Sequence, residues 1–172
     1  MHELFAAMPA FEMVKFLLVR ALSHISVRLA SRKGAGATGA SESVRKLMFI
    51  DVSKAHLHAL IDADVNAFVD LPPECRKPRV CGEINYWLYG MRPASKGWES
   101  ECTKKLGLIC FVFGIASPCC FHRATYGVSV VVHGDDFVFE GPAISFDSIF
   151  SPFQSHWIIK VRAIFGSDAG NA

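Results

Sequence analysis

The chain has 172 residues, of which 51% are hydrophobic and 20% charged, so it is long enough for one domain with a substantial core and too apolar to be intrinsically disordered. Its net charge of +2 neither supports nor excludes a nucleic-acid partner, because a basic face can lie within a nearly neutral total. The most apolar N-terminal run, 11–22, is broken by Glu12, Lys15 and Arg20 and is shorter than the ~20 apolar residues of a membrane span. We therefore predict no membrane partner.

The segment 11–114 is predicted to contain two helices and two strands. Apolar residues recur at helical spacing over 11–29, which predicts an amphipathic helix. The small residues of SRKGAGATGASES predict a flexible linker, and KLMFIDV (46–52) predicts a short buried strand. Further on, EINYWLYGM (83–91) predicts a strand, and WESECTKKLGLICFVFG (98–114) predicts a helix that stops at Gly114.

The C-terminal half is predicted to contain a β-hairpin, a helix and a last strand. The segment 119–141 has the pattern strand, turn, strand, tight turn, strand, while 144–157 predicts a helix with a proline inside it and 156–166 a final strand. This order indicates an α+β domain with helices on one face of an antiparallel sheet. In such a sheet the first strand can lie beside the hairpin.

The sequence VVVHGDDFVFEG places two adjacent acids in the tight turn of that hairpin. If the strand 46–52 is its neighbour, Asp51 lies close to Asp135 and Asp136, and Gly134 suits the turn because glycine tolerates a positive φ. Three converging carboxylates suit Mg²⁺, and two such ions ~3.5–4 Å apart can clamp the attacking and leaving oxygens of a phosphoryl transfer. An acid pair considered alone is more often a solvated turn.

Histidines and cysteines offer alternative metal sites. His56 and His58 would face one side of a strand and, with His133 and the acids, would form a hydrolase-type site. The pair Cys119–Cys120 with His122 suggests zinc, but no second pair stands at finger spacing, so buried thiols are the stronger interpretation. All six cysteines lack a CxxC spacing, which favours reduced thiols in an intracellular protein.

Basic pairs and aromatic residues also have two interpretations. The pairs Arg76–Lys77 and Lys104–Lys105 are typical of solvated faces and are secondary candidates for phosphate contacts. The aromatic side chains Trp87, Tyr89 and Trp98 can stack on bases, although residues of this kind are more often core.

Several motifs in this order resemble the palm region of a copia-type retrotransposon reverse transcriptase. LMFIDVSKAHL resembles the family's first catalytic motif, YWLYGMRPASKGW its LYGLKQAPRAW-like motif, and VVHGDDFVFEG its YxDD hairpin. Shorter segments, FVDLPPE, ASPCCF and HWIIKVRAIFGS, are similar to the parts that precede and follow these motifs. The resemblance covers 46–166, and 11–29 matches less well.

The resemblance implies an RNA-directed DNA polymerase that uses two Mg²⁺ ions, or Mn²⁺ in their place. By this likeness Asp51, Asp135 and Asp136 are the catalytic metal ligands, the Val52 carbonyl is an additional ligand, and His56 occupies the position of the aromatic gate against the ribose 2′-hydroxyl. Residues of the template–nucleotide platform are Gly90, Met91 and Arg92. The implied partners are an RNA template, a DNA primer, deoxynucleoside triphosphates and the other polyprotein domains, in the cytoplasm, a virus-like particle or the nucleus.

The chain also departs from this pattern. His133–Gly134 stand where the family has Tyr and a small apolar residue, Ser95 replaces Pro, and His56 replaces Phe or Tyr. We expect four parts: an N-terminal helix and finger remnant (1–33), a linker (34–45), the palm-like domain (46–166) and a tail (167–172). With fragmentary fingers and no thumb, ribonuclease H or integrase, the isolated chain is expected to lack robust polymerase activity. The rival hypotheses are an inactive retroelement remnant and a nucleic-acid-binding or interaction module that retains the palm.

Overall fold

The computed structural model describes residues 12–21, 44–115 and 117–166. The described helices are α1 (12–21), α2 (Ala94–Leu108) and α3 (Phe146–His156). The described strands are β1 (Arg45–Val52), β2 (Phe68–Val69), β3 (Gly82–Glu83), β4 (Val112–Phe113), β5 (Cys120–Arg123), β6 (Val128–His133), β7 (Asp136–Pro142) and β8 (Ile159–Gly166). None of the described helices is long and apolar enough to cross a membrane.

Six strands form one sheet in the order β4-β5-β6-β7-β1-β8, and every neighbouring pair is antiparallel. Strands β2 and β3 form a separate two-stranded hairpin. Four strands and two helices follow each other as β1-α2-β6-β7-α3-β8, with β1 between β7 and β8, which is the connectivity of the split βαβ (ferredoxin-like) unit. The predicted α+β class with an antiparallel sheet is therefore confirmed.

The main core lies between the sheet and helices α2 and α3. Along β1 the side chains of Met48, Ile50 and Val52 point into this core, because alternate residues of a strand face the same side. At its centre Phe137 is fully buried and its ring lies 5.1 Å from that of Phe153. The Phe137 ring also lies 6.4 Å from that of Trp98 on α2, so these aromatic contacts hold both helices on one face of the sheet.

Helix α1 packs on the opposite face. Its buried residues Leu17 and Ala21 contact Leu47, Val131 and Val138, which alternate with the residues that face the main core. The prediction that the helices share one face is therefore right for α2 and α3 and wrong for α1. The physical reason is that this sheet is apolar on both sides, so it offers a second surface against which an amphipathic helix can bury its stripe.

A buried ion network fixes α1 to the sheet. Glu140 on β7 is fully buried, and both of its carboxylate oxygens accept hydrogen bonds from Arg45, with Nη2 at 2.8 Å from Oε2. Arg20 of α1 places its Nε 3.3 Å from Oε2 and donates from Nη1 to Ser129 Oγ at 3.1 Å. Since a buried carboxylate needs charged partners, these arginines compensate Glu140.

The elements β1, β5 to β8 and α3 appear where the sequence predicts them, and Pro152 lies inside α3 as expected. The strand predicted over 83–91 is wrong: Tyr86 forms only an isolated bridge with Leu60, and the chain turns at Met91, whose amide donates to the Leu88 carbonyl. The positive φ of Gly90, 91°, belongs to this turn.

Helix α2 occupies a shorter and earlier span than the predicted 98–114. It begins after Pro93 and ends at Leu108. Two residues later, Cys110 adopts a left-handed φ of 63°. The amide of Cys110 donates to Gly107 O and that of Phe111 to Leu106 O, the two bonds of a Schellman motif. Gly114 is therefore not the helix stop. Of the other predicted segments, 22–29 of the first helix, the linker up to 43 and the tail 167–172 lie outside the described residues.

Candidate functional site

The end of β1 lies directly beside the hairpin turn between β6 and β7. Asp51 is the register partner of Asp136, and the amide of Val52 donates to the Asp135 carbonyl at 2.9 Å. Gly134 opens the turn with a φ of 61°, the left-handed conformation that glycine adopts readily. The part of the prediction that places Asp51 on the strand next to the Asp135–Asp136 turn is confirmed.

Two of the acids project from the same face of the sheet. Directly opposed residues of an antiparallel pair point to one side, so the carboxylates of Asp51 and Asp136 are cross-strand neighbours, a like-charge arrangement that destabilises a sheet. Arg162 compensates this charge: its Nη2 donates to Asp51 Oδ2 at 3.1 Å. Arg162 lies at a β-bulge of β8. Val161 pairs with Ile50 and Ala163 pairs with Phe49, so Arg162 between them has no partner in that register.

The third acid is hydrogen-bonded to Tyr89, which the sequence analysis considered only as a base-stacking or core residue and not as a partner of the acids. The Tyr89 hydroxyl donates to Asp135 Oδ2 at 3.3 Å, and its ring lies 4.3 Å from that of His56, tilted by 40°. Burial, followed by the charge of Asp135 and this hydrogen bond, raises the pKa of Tyr89 above its usual value. The hydroxyl therefore stays protonated and remains a donor to the carboxylate.

The carboxylates supply the oxygen donors that Mg²⁺ prefers, but they do not form a closed cage. Among the described residues, no group of three or more His, Cys, Asp or Glu side chains is arranged to hold a metal ion. The expected convergence of all three acids is thus not seen, since the Asp51 carboxylate accepts a hydrogen bond from Arg162 and the Asp135 carboxylate accepts one from Tyr89. Mg²⁺ usually takes one or two carboxylates together with substrate phosphates, and the pair of Asp51 and Asp136 fits that need.

The remaining predicted site residues are distributed around this turn. The side chain of Val52 is in the core, so it can offer the site only its backbone. Gly90 leaves open space where a Cβ would stand, Met91 packs against a small cluster of Ala59, Trp87 and Ala94, and Arg92 is exposed. Within the part of the chain that is described, no hydrogen bond or ion pair joins these platform residues to the three acids.

His56 and His58 lie in a single 3-10 turn, Ala55–His58, rather than on the strand that the hydrolase-type site required. The two rings have different surroundings: His56 stacks on Tyr89, whereas His58 Nε2 lies 3.1 Å from the Ser53 carbonyl. The buried Nδ1 of His56 has no hydrogen-bond partner among the described residues. The geometry gives no support to a paired-histidine metal site.

Burial separates core residues from surface residues among the aromatic and cysteine side chains. Trp87 and Trp98 are core residues, and Trp98 Nε1 donates to the Gly134 carbonyl at 2.8 Å, which ties α2 to the hairpin turn. Tyr89, in contrast, is 52% exposed. All six cysteines are free thiols, and burial raises the pKa of Cys119 to about 11, which makes this thiol unreactive.

Three of the four residues in the two basic pairs are on the surface. Arg76, Lys77 and Lys104 are exposed, while Lys105 forms an i,i+4 ion pair with Glu101 at 3.3 Å.

No family model matches the chain, and no curated protein or solved structure is significantly similar to it.

Proposed function

We propose that the chain is the palm-like part of an RNA-directed DNA polymerase from a copia-type retrotransposon polyprotein. The observation that carries this proposal is the register of β1 against β7, which pairs Asp51 with Asp136 at the end of the hairpin. The motif order in the sequence and the split βαβ connectivity point the same way. The proposed partners are an RNA template, a DNA primer and deoxynucleoside triphosphates, and the polymerase palm, its fragmentary fingers and the intracellular location belong to the same proposal.

Residues of the hairpin turn and of the end of β1 would together bind the metal ions. Asp51 and Asp136 would hold Mg²⁺, or Mn²⁺ in its place, with Asp135 and the Val52 carbonyl as further oxygen ligands. When bound, the ions would supply Lewis-acid stabilisation of the attacking and leaving oxygens. The Val52 amide, by donating to the Asp135 carbonyl, keeps β1 and the turn in register, and Trp98 fixes the turn from the core side.

The test is metal-dependent binding of a deoxynucleoside triphosphate, followed by addition of one nucleotide to a primer on an RNA template. We expect nucleotide binding to require Mg²⁺ or Mn²⁺, and any extension by the isolated chain to be weak and non-processive. Binding that is equally strong in the presence of a chelator would contradict the proposal. Processive extension would overturn the expectation that this chain lacks robust activity alone.

His56→Phe is expected to improve discrimination against ribonucleotides. The His56 ring lies beside Tyr89, which contacts Asp135, so it is close to the proposed metal site. A histidine can form a hydrogen bond with a 2′-hydroxyl, whereas phenylalanine can only exclude it. One such bond is worth ~0.5–1.5 kcal/mol, so the ratio of affinities for the deoxy- and ribonucleoside triphosphates should change by up to roughly tenfold. An unchanged ratio would remove His56 from the nucleotide site.

A nucleic-acid-binding module that has lost the chemistry is the second candidate. The observation that favours it is that Arg162 is ion-paired with Asp51 and that no three-acid cluster is found among the described residues. Filter binding of a primer–template with and without Mg²⁺ separates the two functions. Binding that is independent of Mg²⁺, together with no metal-dependent nucleotide binding, would favour the module.

A further inference from the structure

Tyr89 combines two contacts that are unusual for an exposed aromatic residue. Its hydroxyl donates to Asp135 at 3.3 Å, and its ring packs against that of His56 at 4.3 Å between centroids. A tyrosine that is 52% exposed gains little from core packing, so burial does not account for this placement.

The backbone that carries Tyr89 is anchored on both sides. On one side Trp87 is buried and its amide donates to the Ala59 carbonyl at 3.0 Å. On the other side the turn through Gly90 is closed by the amide of Met91, which donates to Leu88 O at 3.2 Å. The backbone is therefore fixed on both sides of Tyr89, which gives the hydroxyl a defined position relative to the hairpin turn.

We infer that Tyr89 is a positioning residue that orients the Asp135 carboxylate for cation binding. The inference rests on the proposed function, because it requires a divalent cation at this turn. The Tyr89 hydroxyl engages one carboxylate oxygen of Asp135, Oδ2, and leaves the other available. Carboxylates that hold metal ions are themselves hydrogen-bonded in this way, and loss of such a partner typically costs 10–100-fold in metal affinity.

The matched pair of variants is Tyr89→Phe and Tyr86→Phe. The first keeps the ring on His56 and removes only the hydroxyl, while the second makes the same change at a tyrosine that is 47% exposed on the same segment. Titration with Mn²⁺ alone, with free Mn²⁺ followed by electron paramagnetic resonance, measures the affinity directly. A urea denaturation of each variant without metal tests whether the fold is retained.

We expect Tyr89→Phe to weaken Mn²⁺ binding by about tenfold or more and Tyr86→Phe to leave it unchanged, with similar unfolding curves for both. Equal affinities for the two variants, or tighter binding by Tyr89→Phe, would overturn the role of Tyr89 and leave the proposed function standing. If wild type binds no Mn²⁺ in a manner that depends on Asp51 or Asp136, the metal site and this inference fail together.

Discussion

Glu140→Ala is expected to lower the free energy of unfolding by about 3–5 kcal/mol, the cost of breaking a buried ion pair by removing one partner. The side chain of Glu140 is fully buried and that of Arg45 is only 10% exposed, so the substitution leaves a guanidinium group in the sheet without its counter-charge. Total stabilities of domains are about 5–15 kcal/mol, which makes this a large fraction. Urea denaturation at equilibrium is the measurement.

Glu101→Ala is the control for this experiment. Glu101 forms an ion pair with Lys105 one turn away on α2, and both side chains are partly exposed. Pairs of this kind contribute about 0.3–0.5 kcal/mol, so the unfolding curve should shift little. If the two variants lose similar stability, the carboxylate of Glu140 is not the centre of the network that we describe.

The same network explains why part of the fold was not predicted from the sequence. An amphipathic stripe over 11–29 indicates that one side of the helix is buried, but it does not say against which face of the sheet. The face is determined by Leu47, Val131 and Val138 and by the pairing of Arg20 with Glu140, which are distant in sequence. Glu140, an acid inside the strand DFVFEG, gives no indication of its partners before the fold is known.

The hairpin and its neighbour were predictable because their signals are local. Gly134 marks the turn, the β-branched and aromatic residues on either side mark the strands, and a short apolar run ending in Asp51 marks the strand that joins them. The strand expected over 83–91 also rests on local signals, but it does not form. Its apolar and aromatic residues resemble a strand, but Gly90 and the bond from Met91 to Leu88 turn the chain there.

The site itself was predictable only in part. The pairing of Asp51 with Asp136 follows from strand adjacency, whereas the contacts that occupy the carboxylates join residues 46 and 111 positions apart. Exposure also decides the role of the aromatic residues: Trp87 and Trp98 are core, and Tyr89 is at the site. Nothing in the order of the letters YWLYG distinguishes Trp87 from Tyr89 before the fold is known.

Asp136→Asn is expected to abolish metal-dependent nucleotide binding without destabilising the fold. In the absence of metal, Asp136 faces Asp51 across the two strands, and like charges directly opposite each other destabilise a sheet. The substitution removes one of the two charges and keeps the shape of the side chain, so the metal-free variant should be as stable as wild type or slightly more stable. A loss of binding therefore cannot be attributed to unfolding.

Thermal unfolding with and without Mn²⁺ shows both effects in one experiment. A ligand that binds only the folded state at a concentration of 100 times its Kd adds about 2.7 kcal/mol of stability, so Mn²⁺ should raise the Tm of wild type by several degrees. Asp136→Asn should start from an equal or higher Tm and gain nothing from the ion. The matched control is Asp64→Asn, which removes the same charge from an exposed loop and should respond to Mn²⁺ as wild type does. If Asp64→Asn loses the response as well, Mn²⁺ interacts with net charge rather than with the turn. If Asp136→Asn keeps the response, the paired acids do not hold the ion.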